Sequence, residues 1–212
     1  MQYSVLIVDD QRMSRQLFES IVSSDSRYKV IAAIETAMVA DAWCAKGGVD
    51  LILMDVVMRD GSNGLDAAAR IKVSYPDIKI IAVTSMPDPA FLKKARAVGV
   101  DSFWYKEVEA EPLLWVMDRT IAGESVWPDE PPEIYLGQAS SKDFTERELE
   151  VLRLLSEGLT DREIASRLYL SLPAVRYHVG NLISKTGLSS RTELAVRAVG
   201  SGLTVPQVGS HL

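Results

Sequence analysis

A single cysteine, Cys44, and only two histidines occur in the 212 residues. One cysteine excludes an internal disulfide and suits a reducing compartment. No residue near His178 stands at metal-ligand spacing, which argues against a zinc site. Long apolar runs are also missing: residues 30–34 are typical, far short of the roughly 20 residues a membrane helix needs, so no membrane association is expected. A Walker-type glycine loop is absent, which excludes a P-loop nucleotide hydrolase. Internal repeats are absent too. Met1-Gln2-Tyr3-Ser4 leads directly into a strand-like run without the layout of a signal peptide, so the expected location is cytoplasmic. With 47% hydrophobic residues, the chain has the composition of a folded globular protein rather than a disordered one.

Charge is unevenly divided. The chain carries a formal −6, yet residues 140–212 hold nine Lys/Arg against eight Asp/Glu, while residues 1–139 hold fourteen against twenty-one. The last 45 residues carry four basic side chains (Arg176, Lys185, Arg191, Arg197) and one acidic one, Glu193. An acidic front and a mildly basic rear predict two modules with separate roles.

The front alternates between two periodicities. Short aliphatic runs at 4–8, 30–34, 51–54, 78–83 and 100–104 are rich in β-branched residues and read as strands buried on both faces. Between them lie segments of helical spacing, such as Met13, Leu17, Ile21 and Val22, or Phe91, Leu92, Ala95 and Val98. A fifth helix is predicted from Pro112, with proline in its first turn. Five strands and five helices in alternation predict an α/β domain over 1–122 with a parallel sheet. Residues 123–143, with Gly123, Pro128, Pro131, Pro132 and Gly137 among acidic and small residues, read as a linker with a few residues packed against either neighbour.

Residues 144–212 read as helical. Thr145/Glu148, Thr160/Glu163 and Ser190/Glu193 have capping-box spacing, Ser171 can cap a helix with Pro173 in its first turn, and Gly158 and Gly187 fall at predicted helix C-termini. Four short helices are predicted near 146–157, 161–168, 172–185 and 191–199. The second and third, joined by Tyr169-Leu170-Ser171, have the form of a helix-turn-helix.

In an open parallel sheet, ligands bind beyond the carboxyl ends of the strands. Those ends carry Asp9 and Asp10, Asp55, Thr84 and Lys106. Three converging carboxylates repel one another unless a cation joins them, and hard oxygen ligands suit Mg²⁺ or Mn²⁺. With Lys106 as a positive charge and Thr84 as a donor, the set suits phosphoryl transfer to a carboxylate. Asp55 is the expected nucleophile, with Asp9 and Asp10 together as metal ligands. The separations of Val-Asp9-Asp10, Met54-Asp55-Val56-Val57-Met58, Val83-Thr84-Ser85 and Lys106 resemble those of the receiver domain of two-component response regulators. That resemblance implies a flavodoxin-like sheet of order 2-1-3-4-5 and phosphorylation of Asp55 by a sensor histidine kinase. It also implies Mg²⁺ on Asp9, Asp10, Asp55 and the carbonyl of Val57, with Thr84 and Phe103 as a hydroxyl–aromatic switch pair. Arg59 and Glu107 depart from the family, which usually has proline after the positions of Met58 and Lys106.

On the predicted helix 172–185, Val175, Val179, Leu182 and Ile183 form an apolar stripe with His178 at its edge. Arg176, Tyr177, Gly180, Asn181 and Ser184 form a polar face of the size that enters a DNA major groove. Lys185, Arg191, Thr192 and Thr160 are candidate backbone contacts. The stripe and caps alone also suit a small protein-interaction bundle. Phe144-Thr145-Glu146-Arg147-Glu148, Gly158-Leu159-Thr160, Glu163-Ile164-Ala165, Val175-Arg176-Tyr177-His178-Val179, Asn181-Leu182, Lys185, Gly187 and Arg191-Thr192-Glu193-Leu194 resemble the LuxR-type (NarL/FixJ class) output domain. This resemblance implies binding to inverted-repeat sites in double-stranded DNA as a homodimer paired through the last helix.

The combined expectation is a transcription regulator whose phosphorylation at Asp55 controls dimerisation and DNA binding. Two other classes compete with this reading. A haloacid-dehalogenase-type phosphatase needs a second aspartate two residues after the nucleophile, where this chain has Val57, so no enzyme is expected beyond the receiver's own phosphoryl chemistry. The other is a phosphorylation-independent DNA-binding regulator whose receiver serves for dimerisation.

Overall fold

The computed structural model describes residues 2–58, 60–106 and 112–204. Arg59 and Glu107, the two departures from the receiver pattern, lie outside the described residues. The chain divides into two compact units, residues 2–84 with 90–130, and residues 131–204 with 85–89.

The first unit contains β1 (Tyr3–Val8), α1 (Arg12–Ser23), β2 (Tyr28–Ile34), α2 (Ala40–Ala45), β3 (Leu51–Asp55), α3 (Gly64–Ser74), β4 (Lys79–Thr84), α4 (Pro89–Ala97), β5 (Ser102–Tyr105) and α5 (Leu113–Ile121). All strand pairs are parallel, in the order β2-β1-β3-β4-β5. Val5, Ile7, Leu51, Leu53, Ile81 and Val83 share one face of the sheet and pack with Phe18 and Val22 of α1 and Val116 and Met117 of α5. The intervening Leu6, Val8, Ile52, Met54, Ile80 and Ala82 are buried as well. A period of two places them on the opposite face, where α3 packs on β3 and β4.

Three expectations need correction. Strand β2 is not buried on both faces: after Tyr28 its residues are half-buried or exposed, because β2 is an edge strand paired only with β1. Helix α5 begins at Leu113, with Pro112 in extended conformation at its N-cap rather than in the first turn. The stretch expected as a linker also carries structure. A hairpin of β6 (Tyr135–Leu136) and β7 (Ala139–Ser140) closes through Gly137 and Gln138, with Gly137 at φ 63° as a two-residue hairpin turn favours. Leu136 and Ala139 belong to the core of the second unit.

The rest of that unit is α6 (Glu146–Ser156), α7 (Asp161–Leu168), α8 (Leu172–Thr186) and α9 (Arg191–Gly200). Val151, Leu152, Ile164, Val175, Leu182, Leu194 and Ala198 meet in one core. Thr145/Glu148 and Thr160/Glu163 form full capping boxes. Ser190 accepts from the Glu193 amide, but the Glu193 carboxylate turns to the amide and hydroxyl of Ser189, two donors on one residue, so this third box is incomplete. Gly158 (φ 84°) and Gly187 (φ 68°) adopt the left-handed conformation that ends α6 and α8. The α7 end does the same without glycine, through Tyr169 at φ 53°.

One ion pair ties α8 to α6. Glu148 is only 2% exposed, and its Oε2 accepts from the Thr145 amide at 2.8 Å and from the Lys185 Nζ at 2.6 Å. Burial disfavours the Glu148 charge, but Lys185 and the Thr145 amide outweigh it and hold the pKa below the ordinary glutamate value. A depressed folded-state pKa gives stability that is present above the unfolded value, roughly 4.3, and is lost as pH falls through the folded one. Lys185→Ala, which strands a buried carboxylate, is expected to cost about 2–3 kcal/mol, and Glu148→Gln to lessen the loss of stability below about pH 4. Denaturant titrations of the full chain at pH 7 and pH 4 check both, following the helical signal.

Candidate functional site

The sheet order places the ends of β1, β3 and β5 around one pocket. Asp9, Asp10 and Asp55 each direct a carboxylate oxygen into it, and these oxygens lie within 4.8 Å of one another. Asp9 is fully buried and Asp55 is 3% exposed, whereas Asp10 is half-buried. The Lys106 ammonium, in the residue after β5, reaches Asp9 Oδ2 at 2.7 Å and Asp55 Oδ1 at 3.2 Å. Asp9 Oδ1 accepts from the Gln11 amide at 2.8 Å, and the Arg15 guanidinium donates to the Asp9 carbonyl. Three carboxylates and one ammonium sum to −2, the charge that one divalent cation cancels.

Electrostatics single out Asp55. Burial pushes its pKa up to about 7, with Asp9 and Asp10 adding repulsion and Lys106 opposing both. Burial also works against the Lys106 charge, but Asp55 and Asp9 overcome it and raise that pKa. Asp55 Oδ2 is buried with no hydrogen-bond partner among the described residues. An orphaned carboxylate oxygen beside two further acids is the donor set a hard divalent cation takes, so the residues fit Mg²⁺ or Mn²⁺. Thr84 is buried at the end of β4, and Phe103 is buried in β5, its ring 5.1 Å from that of Tyr105. Val57 is buried in the loop after β3, where it bridges to Asn63.

That bridge exposes a residue the sequence reading passed over. Gly64 donates to the Val56 carbonyl, and a Cβ at Gly64 would overlap the Asp55 carbonyl oxygen. The loop therefore closes on Asp55 only because position 64 has no side chain. The signal available was a glycine opening a helix just behind Asn63, whose side chain caps α3.

In the second unit, α7, the Tyr169-Leu170-Ser171 turn and α8 form the helix-turn-helix. Arg176, Tyr177, Gly180 and Ser184 are exposed on α8 and Asn181 is half-buried, while Val175, Val179 and Leu182 face the core. Thr192 is exposed on α9. A Cβ at Gly180 would meet nothing within 4 Å, so close packing does not require glycine there, and it costs the helix about 1 kcal/mol relative to alanine.

Three other residues expected to contact DNA have their polar groups engaged within the unit. Lys185 is bound to Glu148 and to the Asp143 carbonyl. Arg191 holds Asp161 Oδ1 at 2.6 Å and the Leu159 carbonyl at 2.9 Å. The Thr160 hydroxyl is occupied by Glu163. Asp161 was not singled out from sequence; it sits between Arg191 and Arg176, whose Nε lies 3.6 Å from its Oδ2.

Comparison with known proteins agrees with both halves. Residues 5–117 match the response regulator receiver domain, and residues 142–198 match the bacterial regulatory proteins of the luxR family. The chain is 32% identical over 206 residues to the response regulator protein VraR of Staphylococcus aureus, covering 93% of this chain and 97% of that protein. Among solved structures it is similar in fold to the RcsB response regulator of Salmonella typhimurium, with a TM-score of 0.55 at 20% identity over 94% of this chain and 98% of that one. A structure of two RcsB dimers bound to two parallel DNAs is similar at a TM-score of 0.56 and 21% identity, over 94% of this chain and 98% of that one. The chain belongs to the response regulator family, as a two-component receiver joined to a LuxR-type DNA-binding domain. No described helix is long and apolar enough to cross a membrane.

Gly64→Ala is expected to push the β3–α3 loop off Asp55, lowering the stability of the first unit by about 1–3 kcal/mol. Thermal unfolding of the variant checks this, and an unchanged midpoint contradicts the close-approach reading.

Proposed function

We propose that Asp55 accepts a phosphoryl group from a sensor histidine kinase in the cytoplasm. In this reading, phosphorylation controls homodimerisation and binding to inverted-repeat sites in double-stranded DNA, and so transcription. The observation that carries it is the state of Asp55: buried, ion-paired through one oxygen to Lys106, and with its other oxygen unpartnered in a pocket of net negative charge.

A carboxylate oxygen of Asp55 is the nucleophile. It attacks the phosphorus of the kinase's phosphohistidine, an O–P bond forms as the N–P bond breaks, and the bonding pair remains on the imidazole nitrogen. Asp9, Asp10, Asp55 and the Val57 carbonyl would hold Mg²⁺ or Mn²⁺, which supplies positive charge to the phosphoryl oxygens and favours the ionised form of Asp55. Lys106 adds a second positive charge, and Thr84 is the hydroxyl donor for one phosphoryl oxygen. Drawing Thr84 toward that oxygen frees space on its side of β5, and Phe103 turns into it. The chain performs no chemistry beyond its own phosphorylation and dephosphorylation.

On the output side, Arg176, Tyr177, Asn181 and Ser184 are the base-reading candidates, with Gly180 leaving the groove open beside them and Thr192 meeting the backbone. Lys185, Arg191 and Thr160 act by holding α8 and α7 in place. That solved RcsB response regulators of similar fold are described in complex with DNA, one of them as dimers, supports the DNA-binding reading of this unit, though not any single residue's role.

Incubation of the full chain with acetyl phosphate and Mg²⁺ is expected to add one phosphoryl group to the natural protein and none to Asp55→Ala. The same treatment is expected to raise the dimer fraction and the affinity for operator DNA. Equal labelling of Asp55→Ala removes the proposed acceptor. Labelling that changes neither assembly nor DNA affinity removes the proposed control.

A further inference from the structure

The segment that leaves α5 does not run free. Gly123 turns the chain at φ 88°, the Glu124 amide donates to the Arg119 carbonyl, and the next residues lie along the outer edge of β5. The Phe103 amide donates to the Val126 carbonyl at 2.9 Å, and the Val126 amide donates to the Ser102 hydroxyl at 3.0 Å. Side chains here alternate as in a strand. Val126 packs against the core that contains Phe18, Val116 and Met117, whereas Trp127 stacks on Phe103 with ring centroids 6.1 Å apart and planes 25° apart. The Arg96 guanidinium of α4 lies 4.4 Å from the centroid of the Trp127 ring. The outer edge of β5, which sheet order alone leaves unpaired, is covered in this way.

The hydrogen-bond directions at this edge are fixed. The Thr120 hydroxyl spends its proton on the Val116 carbonyl at 2.7 Å, so in the 2.7 Å contact between Ser102 and Thr120 the serine must donate. Ser102 Oγ therefore presents a lone pair to the Val126 amide, and a relay runs from Val126 through Ser102 and Thr120 to Val116. Ser102 and Thr120 are both fully buried, so every member of the relay depends on its neighbour.

We propose that Val126 and Trp127 form a latch on β5 that reads the position of the Phe103 side chain and passes the phosphorylation state of Asp55 into the segment leading to the DNA-binding unit. This rests on the phosphorylation reading above, because the moving part is Phe103. With its ring against Trp127, Phe103 gives the indole a stacked face, and Arg96 lies against the same indole. When Phe103 turns toward Thr84 that stacked face is lost, and the segment is held by the two hydrogen bonds to Val126, the packing of its side chain and the Arg96 contact. The latch then opens, and the chain beyond Trp127 gains freedom. Trp127 is a positioning residue in this scheme, since it touches no reacting atom. Coupling of this kind is reciprocal: if phosphorylation opens the latch, weakening the latch must favour the phosphorylated conformation by the same factor.

The test uses the full chain with Mg²⁺ and beryllofluoride, a non-covalent mimic of a phosphoryl group on a carboxylate. Hydrogen exchange of the Phe103 and Val126 amides is expected to quicken about fivefold or more on beryllofluoride addition, and to stay unchanged in Asp55→Ala. Trp127→Ala is expected to bind beryllofluoride about fivefold more tightly than the natural chain, and Arg96→Ala, altered only at the exposed surface, to shift the same way by less. Beryllofluoride binding with no change at these amides, or with both variants binding as the natural chain does, overturns the latch and leaves the acceptor intact. No binding at all by the natural chain overturns the acceptor reading, and the latch with it.

Discussion

The Lys106 ammonium is the interaction on which the first unit's site depends. It joins the carboxylates of Asp9 and Asp55, contributed by the ends of two different strands, and both are almost inaccessible to water. At such distances a pair of unit charges interacts by about 5–6 kcal/mol at an effective dielectric of 20. Without the lysine, two like charges would face each other across a few ångströms of protein. With it, and with Asp10 counted, the pocket still carries a formal charge of −2. That imbalance is the chemical content of the site: an acidic cluster whose oxygens could hold a metal ion.

Basic residues serve a different purpose in the second unit. Lys185 and Arg191 are the staples of a small helical core, each binding a carboxylate and a backbone carbonyl within the unit. Arg176 is exposed on the outer face of α8 with Asp161 within reach, and Arg162, Arg167 and Arg197 are exposed on α7 and α9.

Much of this was legible beforehand because it is written in local patterns. Four of the five strand runs lead into Asp, Thr or Lys and so locate the acidic pocket, and all three capping-box spacings mark real helix starts, two of them as full boxes. What stayed hidden depends on pairs distant in sequence. Nothing adjacent to Lys185 indicates that its partner is Glu148, and nothing next to Arg191 points to Asp161. Gly64 looks like any helix-leading glycine until the Asp55 carbonyl is seen against it. Trp127 lay in a stretch read as a linker with a few packed residues, and which of them stacks on Phe103 follows only from where the free edge of β5 falls. The edge exposure of β2 was lost for the same reason, since an aliphatic run does not say which strand ends the sheet.

The central claim is that this pocket is an incomplete charge balance awaiting a divalent ion. Isothermal titration of the full chain with Mg²⁺ tests it most directly. One binding site per chain is expected, weakened at least about tenfold by Asp10→Asn and tightened by Lys106→Met, because loss of the competing ammonium leaves a more negative pocket. Binding that is absent, or that ignores both substitutions, would contradict the account.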